Sequence, residues 1–382
     1  MKKTSLLLLG LLVLATLSAQ QEYIVTTKSL YERVTKIEKK SDNFHFYLHI
    51  NGSFDAEFNK NEFQQSIFRM NQLRLEAAGN INSWLSYRWR QLLNRPNEHR
   101  TSIDNLPANI DFALLRAQVS NKFSLTVGRQ CAAIGGIEFD MNPTFVYQYS
   151  DFSSRMTPFL TGVGISYQPS QAHEWQLQVL DGSLQRFEQT YSAPGIERST
   201  FPFLYSLNWN GNLFDGVFRT RWSGSFLSQA KDKNLIHFAL GNIVTFSPNM
   251  SIWFDALYSL EDIDKKGYIS DRLYGGERNA FNTEYLTFIA KLDYRFVPRW
   301  NLFVKGMYET ASVAKPYDEV AAGRYRTSIG YLAGIEYYPM ETGLRFFLAY
   351  IGHSSMHGKK ATSADKQTNK VSLGFMYQLP MF

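Results

Sequence analysis

From Phe44 onward, apolar and polar side chains change places at every second position. NFHFYLHI opens the pattern, with Phe44, Phe46, Leu48 and Ile50 on one side and His45, Tyr47 and His49 on the other. That is the period of a strand with one apolar face. Similar runs follow at 66–78, 81–92, 110–119, 123–130, 161–167, 174–180, 201–209, 213–227, 235–246, 251–260, 285–296, 302–309, 325–338, 344–351 and 370–381. Together they predict about sixteen strands, of the length that crosses a bilayer at a tilt.

The connections come in two kinds. Short ones, such as Gly79-Asn80, Asn210-Gly211-Asn212 and Ser247-Pro248-Asn249, carry the residues of tight hairpins. They alternate with a second, mostly longer set at 59–62, 94–107, 131–159, 181–200, 229–234, 261–282, 311–324 and 352–368. Short turns on one rim and long loops on the other predict an all-β fold, a transmembrane antiparallel up-and-down barrel over 43–382, with both termini on the short-turn, periplasmic side. Aromatics near segment ends (Trp89, Trp209, Trp222, Tyr294, Phe296, Tyr337) suit interfacial girdles better than a soluble sandwich.

The connection at 131–159 is too long and too aromatic for a solvated linker, with Phe139, Phe145, Tyr147, Tyr149 and Phe152 in it. It predicts a loop folded back into the barrel, where it narrows the lumen. Its charges are mixed, Glu138, Asp140 and Asp151 against Arg155. Arg129, just before it, shares the parity of Leu125 and Val127, and reaches the lumen only if a bulge at Gly128 shifts the register.

With apolar residues turned to lipid, the opposite parity lines the pore. This assigns inward Arg74, Arg88, Arg90, Arg219, Arg221, Lys291, Arg295, Lys305, Arg326 and Arg345, together with Glu76, Asp111, Asp215, Asp255, Asp293, Glu309 and Glu336. Ten basic side chains against seven acidic ones leave a small positive excess. Fixed positive charge in a narrow aqueous channel raises the local anion concentration, and arginine can hand two hydrogen bonds to an oxyanion. Some of these charges are expected simply to pair across strands and keep the lumen wet.

The chain begins MKKTSLLLLGLLVLATLSAQ, a basic start, an apolar run and small residues, which predicts a signal peptide at 1–19. A periplasmic segment is expected at 20–42, with a short helix at 29–40. Ser29 and Glu32 form its capping box, and Leu30, Val34 and Ile37 share one face. That stripe wants a partner, either the barrel's own mouth or another copy. Net charge is +6 with Lys2 and Lys3 included, too diffuse for nucleic acid. Mean hydropathy is −0.28 although aromatics reach 15%, as expected when alternation hides a lipid-facing band. Cys131 is the only cysteine, so no internal disulfide can form. Ser354, Ser355, His357 and Asp365 could be drawn as a rim triad, but loop composition explains them better. No nucleotide-binding or HExxH motif occurs and the histidines are scattered. The expectation is no catalysis, no metal and no cofactor.

LTVGRQ followed by GGIEFDMNPTFVYQYSDF, with IFRMNQLRLEAAGNINSWLSYRW upstream, resembles the phosphate-selective porin O and P family in the form found in Bacteroidota outer membranes. The resemblance runs from about Ser41 to the C-terminus. It implies an outer-membrane porin, a homotrimer, surrounded by lipid and passing small hydrophilic or anionic solutes, with a periplasmic segment ahead of the barrel. The final strand ends in Phe382, as in the signal read by the barrel-assembly machinery, although Phe382 falls off the register of Val371 to Met381. The mixed loop charges fit a general porin with mild anion preference better than a phosphate trap. The alternatives are a phosphate- or anion-selective channel, and a surface barrel whose loops hold a structural or adhesive partner.

Overall fold

Sixteen antiparallel strands pair in chain order and close on themselves, the first against the last. The computed structural model describes residues 44–95, 102–340, 343–358 and 365–381. The leader at 1–19, the segment at 20–42 with its helix at 29–40, and Phe382 lie outside them. The strands are β1 His45–Asn59, β2 Glu62–Asn80, β3 Leu85–Leu92, β4 Ile110–Gln118, β5 Phe123–Cys131 and β6 Phe159–Ser170. Next come β7 His173–Asp181, β8 Phe203–Leu213, β9 Phe218–Ala230, β10 Lys233–Ser247 and β11 Met250–Ile263. The last five are β12 Phe281–Val297, β13 Trp300–Val313, β14 Gly323–Tyr337, β15 Arg345–His357 and β16 Lys366–Pro380.

Closure removes the edges, so each strand's backbone donors and acceptors meet a neighbour on both sides, which hydrocarbon surroundings demand. Alternation then works as the sequence predicts. Leu115, Val127 and Val163 stand in register on three strands and are all exposed, as are Phe254 and Phe288 further round. Along the short-turn rim Trp175 stacks on Trp209, which meets Trp222 edge to face, and Trp300 lies against Tyr337. No helix among the described residues is long and apolar enough to cross a membrane.

Two turns differ from expectation. The β2–β3 hairpin turns at 81–84, not at Gly79-Asn80. The β8–β9 hairpin turns at 214–217, not at Asn210-Gly211-Asn212: Phe214 and Asp215 take left-handed φ values of 54° and Gly216 one of 90°. Asp215-Gly216 is the stronger turn former, and Gly211 stays in the sheet opposite Thr220, donating its N–H to Thr220 Oγ1 at 3.0 Å. Asp215 is therefore exposed on the rim and does not line the lumen.

The interior is greasier than a water-filled barrel requires. Trp253, Leu257, Ile289, Phe303, Met307, Leu332 and Phe347 occupy inward positions of β11 to β15 and are buried. What covers them is the chain between β5 and β6.

Candidate functional site

Residues 132–158 fold into the barrel through three short elements: α1 Ile137–Asp140, a 3₁₀ turn Pro143–Phe145, and α2 Asp151–Ser154. Helices this short leave most of their amide N–H groups without internal partners, and carboxylates on the wall supply them. Asp255 of β11 accepts from Ile137 N–H and Glu138 N–H, both at 2.8 Å. Glu309 of β13 accepts from Asp151 N–H at 2.7 Å and Phe152 N–H at 2.9 Å. Close approach needs missing side chains: a Cβ on Gly136 would lie 2.6 Å from the Asp255 carboxyl, and one on Gly241 of β10 would lie 2.8 Å from Ile137 N.

Further anchors come from around the ring. Gln178 of β7 donates to the Cys131 carbonyl at 3.0 Å and accepts from Ala133 N–H at 2.7 Å. His237 of β10 meets the Ile134 carbonyl. Tyr147 stacks on Phe303 with centroids 4.6 Å apart and donates its hydroxyl to Glu336 Oε1 at 2.6 Å. The 3₁₀ turn lies against β1, β2 and β16, and Asn51 Nδ2 donates to the Thr144 carbonyl at 3.0 Å. Phe152 is buried in the apolar cluster, under the Lys266 ammonium 4.1 Å from its ring. A fourth element, α4 Tyr268–Tyr274, numbered after α3 Phe187–Thr190 of the preceding long loop, folds over α2. Tyr268 donates to the Asp151 carbonyl at 3.0 Å, and Arg155, half exposed, pairs with Asp271 at 2.9 Å.

The inward charges divide into those spent on this packing and those that meet water. Lys305 pairs with Glu138 and donates to the Gln148 carbonyl at 2.8 Å. Arg221 faces Asp140 at 3.5 Å. Arg326, Ser328 and His353 converge on Asp151. On β2 to β4, Asp111 accepts from Arg74 Nε at 2.8 Å and Arg90 Nε at 2.9 Å, while Glu76 meets Arg88 at 2.9 Å and His49 at 3.0 Å. Arg88 and Arg90 lie over the Phe112 ring, and Tyr149 is half-buried on the same side of the loop. Arg74, Arg88, Arg90, Glu76, Asp111, Asp255, Glu309 and Glu336 all point inward but are buried. They do not face a water column, because the loop and the neighbouring charges already cover them.

Water-accessible inward charges remain at two levels. Toward the short-turn rim are Arg219, Lys291, Arg295 and Arg345, half-buried, with Glu174 and Asp293. Toward the long-loop rim are Arg69, Lys370 and Arg326 with Glu57 and Asp151.

Arg129 takes a different place from the one a bulge would give it. Its pairing with Ala113 and Thr161 continues the register of Val127 without a shift, so it lies on the outer wall. There residues 102–110 roof it, and the guanidinium is fully buried. It donates three hydrogen bonds to Asp104, at 2.6, 2.8 and 2.9 Å, and donates to the carbonyls of Pro107 and Ile110. Burial pushes the Asp104 carboxyl up, but hydrogen bonds from Arg129 and Thr161 outweigh it and hold the group below the usual carboxylate range.

Sequence reasoning misses Arg69, Asp55, Glu57, Lys370 and His353. Asn71 is an extra residue between the Asn51–Gln72 and Gly52–Met70 pairs, so parity counted from Leu73 gives Arg69 the wrong face. Asp55 and Glu57 keep the parity of His49 and are legible once β1 is carried to Asn59. Of the rim triad, His357 and Asp365 do meet, the imidazole 3.6 Å from the carboxylate, but Ser354, Ser355 and His357 belong to β15 and Ser355 Oγ accepts from Arg326 at 2.8 Å. Among the described residues, no cluster has the composition of a metal site.

A family model described as phosphate-selective porin O and P matches residues 44–379. No curated protein matches the chain. Among solved structures, the outer-membrane channel DcaP of Acinetobacter baumannii superposes with a TM-score of 0.63 at 14% identity, over 88% of this chain and 97% of that one. OmpT of Vibrio cholerae in its trimer form gives 0.55 at 12% identity, over 88% and 100%. An anion-selective porin from Comamonas acidovorans gives 0.55 at 7% identity, over 88% and 99%.

Proposed function

The chain belongs to the phosphate-selective porin O and P family, an outer-membrane porin for passive diffusion of small hydrophilic solutes, and on that premise we propose that its passage mildly prefers anions. The observation that carries this is the charge near the short-turn rim, four basic side chains (Arg219, Lys291, Arg295, Arg345) against three acidic ones (Glu174, Asp293 and the Glu336 that holds Arg345 at 2.8 Å), an excess of one. Such an excess concentrates anions between low-dielectric walls, and its effect fades as salt shortens the screening length. A dedicated phosphate trap finds less support, because Arg74, Arg88 and Arg90 are engaged by Glu76 and Asp111.

The rest of the proposal follows the resemblance. Both termini and the short turns face the periplasm, 1–19 is removed on export, 20–42 precedes the barrel, and three copies assemble in the membrane. The long loops face outward, the last strand engages the barrel-assembly machinery, and the protein carries out no catalysis. Planar-bilayer recordings across a KCl gradient test the central claim. The expected zero-current potential shows modest anion preference that shrinks with ionic strength. A silent bilayer, or a clear preference for potassium, overturns it.

A further inference from the structure

On the outer wall, where β8 and β9 run into the loops above them, a groove of about 360 Å³ is lined by 198–201, Tyr205, Phe226, Ser228 and 230–232. Its composition changes with height. The floor is aromatic: Tyr205 and Phe226 stand opposite each other on the outward face, 39% and 40% exposed, and belong to the lipid-facing band with Leu207 and Trp222. The upper edge is polar and cationic. Ser199 and Ser228 hydroxyls meet at 2.8 Å, with Arg198 and Lys231 beside them. Arg198 is exposed, and its guanidinium has no partner among the described residues. Lys231 pairs with Glu197 at 2.7 Å, but the two side chains are 62% and 70% exposed. A surface pair of that kind is held weakly and is open to exchange. Asp232 also lines the edge, so the local charge is balanced until an incoming anion draws Lys231 away from Glu197.

We propose that this groove binds a phosphorylated lipid of the surrounding leaflet, its phosphate held by Arg198 and Lys231 and an acyl chain lying over Tyr205 and Phe226. A free anion would have no use for the ring floor, and a neutral lipid none for the cations. An anionic amphiphile matches both in this vertical order, and a phosphate head has enough oxygens to meet two cations at once. The assignment goes beyond solute passage and rests on the membrane orientation inferred above.

The test places the purified barrel in dodecyl maltoside micelles, which carry no phosphate, doped with dioleoylphosphatidic acid or with dioleoylglycerol, and counts retained lipid by native mass spectrometry. These dopants share their chains and differ in the phosphate. Selective retention of phosphatidic acid is expected, cut about tenfold or more in the R198A/K231A double variant, which removes both cations that hold the phosphate. Equal retention of the two dopants overturns the proposal, as does an unchanged double variant. Displacement of the lipid by inorganic phosphate also overturns it, since the site would then be one for a free ion. The dopant comparison needs no variant, so a variant that misfolds leaves the test intact. A barrel that retains the lipid but passes no current sinks the anion reading and leaves this one standing.

Discussion

Lys305 is worth more to the loop than to any solute. Its ammonium bridges Glu138 and the Gln148 carbonyl, both on the infolded loop, and Lys305 and Glu138 are buried. Removing one partner of a buried ion pair costs about 3–5 kcal/mol, because the other charge is left alone. Lys305→Met should therefore loosen residues 132–158, read as larger and noisier single-channel conductance and a lower melting temperature. Adding Glu138→Gln should recover part of the loss. Asp104 predicts a pH effect on the outer wall. Its folded carboxyl titrates below the unfolded value of about 3.9, so its stabilising contribution is complete at neutral pH and is lost as pH falls through the folded value. Protection factors of the 102–110 amides, corrected for the intrinsic pH dependence of exchange, should be high at pH 7 and 5 and fall progressively below about 4, with Asp104→Asn already low at pH 7. At this scale the sequence was readable wherever parity ran unbroken, as for Arg219 and Lys291. It failed where a single backbone event intervened: the extra Asn71 hid Arg69, and the turn at 214–217 removed Asp215 from the lumen. What parity cannot report is depth of cover, which is why Arg90 reads as pore lining and is fully buried.

The infolded loop and its glycines show what an element needs beyond its own residues. α1 is four residues long and gains its place from Asp255, which reaches it only because Gly136 and Gly241 let two backbones approach. Gly241→Val should push α1 off β10 with the sheet still paired, giving a higher conductance at nearly unchanged strand content by circular dichroism. The loop's existence could be read from its length and aromatics. Its docking could not, because the wall carboxylates that receive it lie more than a hundred residues downstream. Strand number was readable from period two and turn chemistry. Strand length was not, since β15 runs on through Ser354, Ser355 and His357, whose composition looks like loop and whose pairing with β14 is regular.

For the whole molecule, selectivity is a sum over charges that water still reaches, which is a smaller set than the one facing inward. Reversing Arg219 and Arg295 together to glutamate should turn the zero-current potential toward cations at low salt and matter much less at high salt. The same pair of changes should leave the melting temperature close to wild type, because neither residue anchors the loop.

One feature of the closed ring bears on how it is held shut. The 3₁₀ turn at Pro143–Phe145 rests on β1, β2 and β16, the strands at the seam where the two ends of the chain meet. A plug fastened to both lips of a seam works as an inner clasp: every contact it makes there holds the first and last strands side by side, so packing of the plug and closing of the ring stabilise one another.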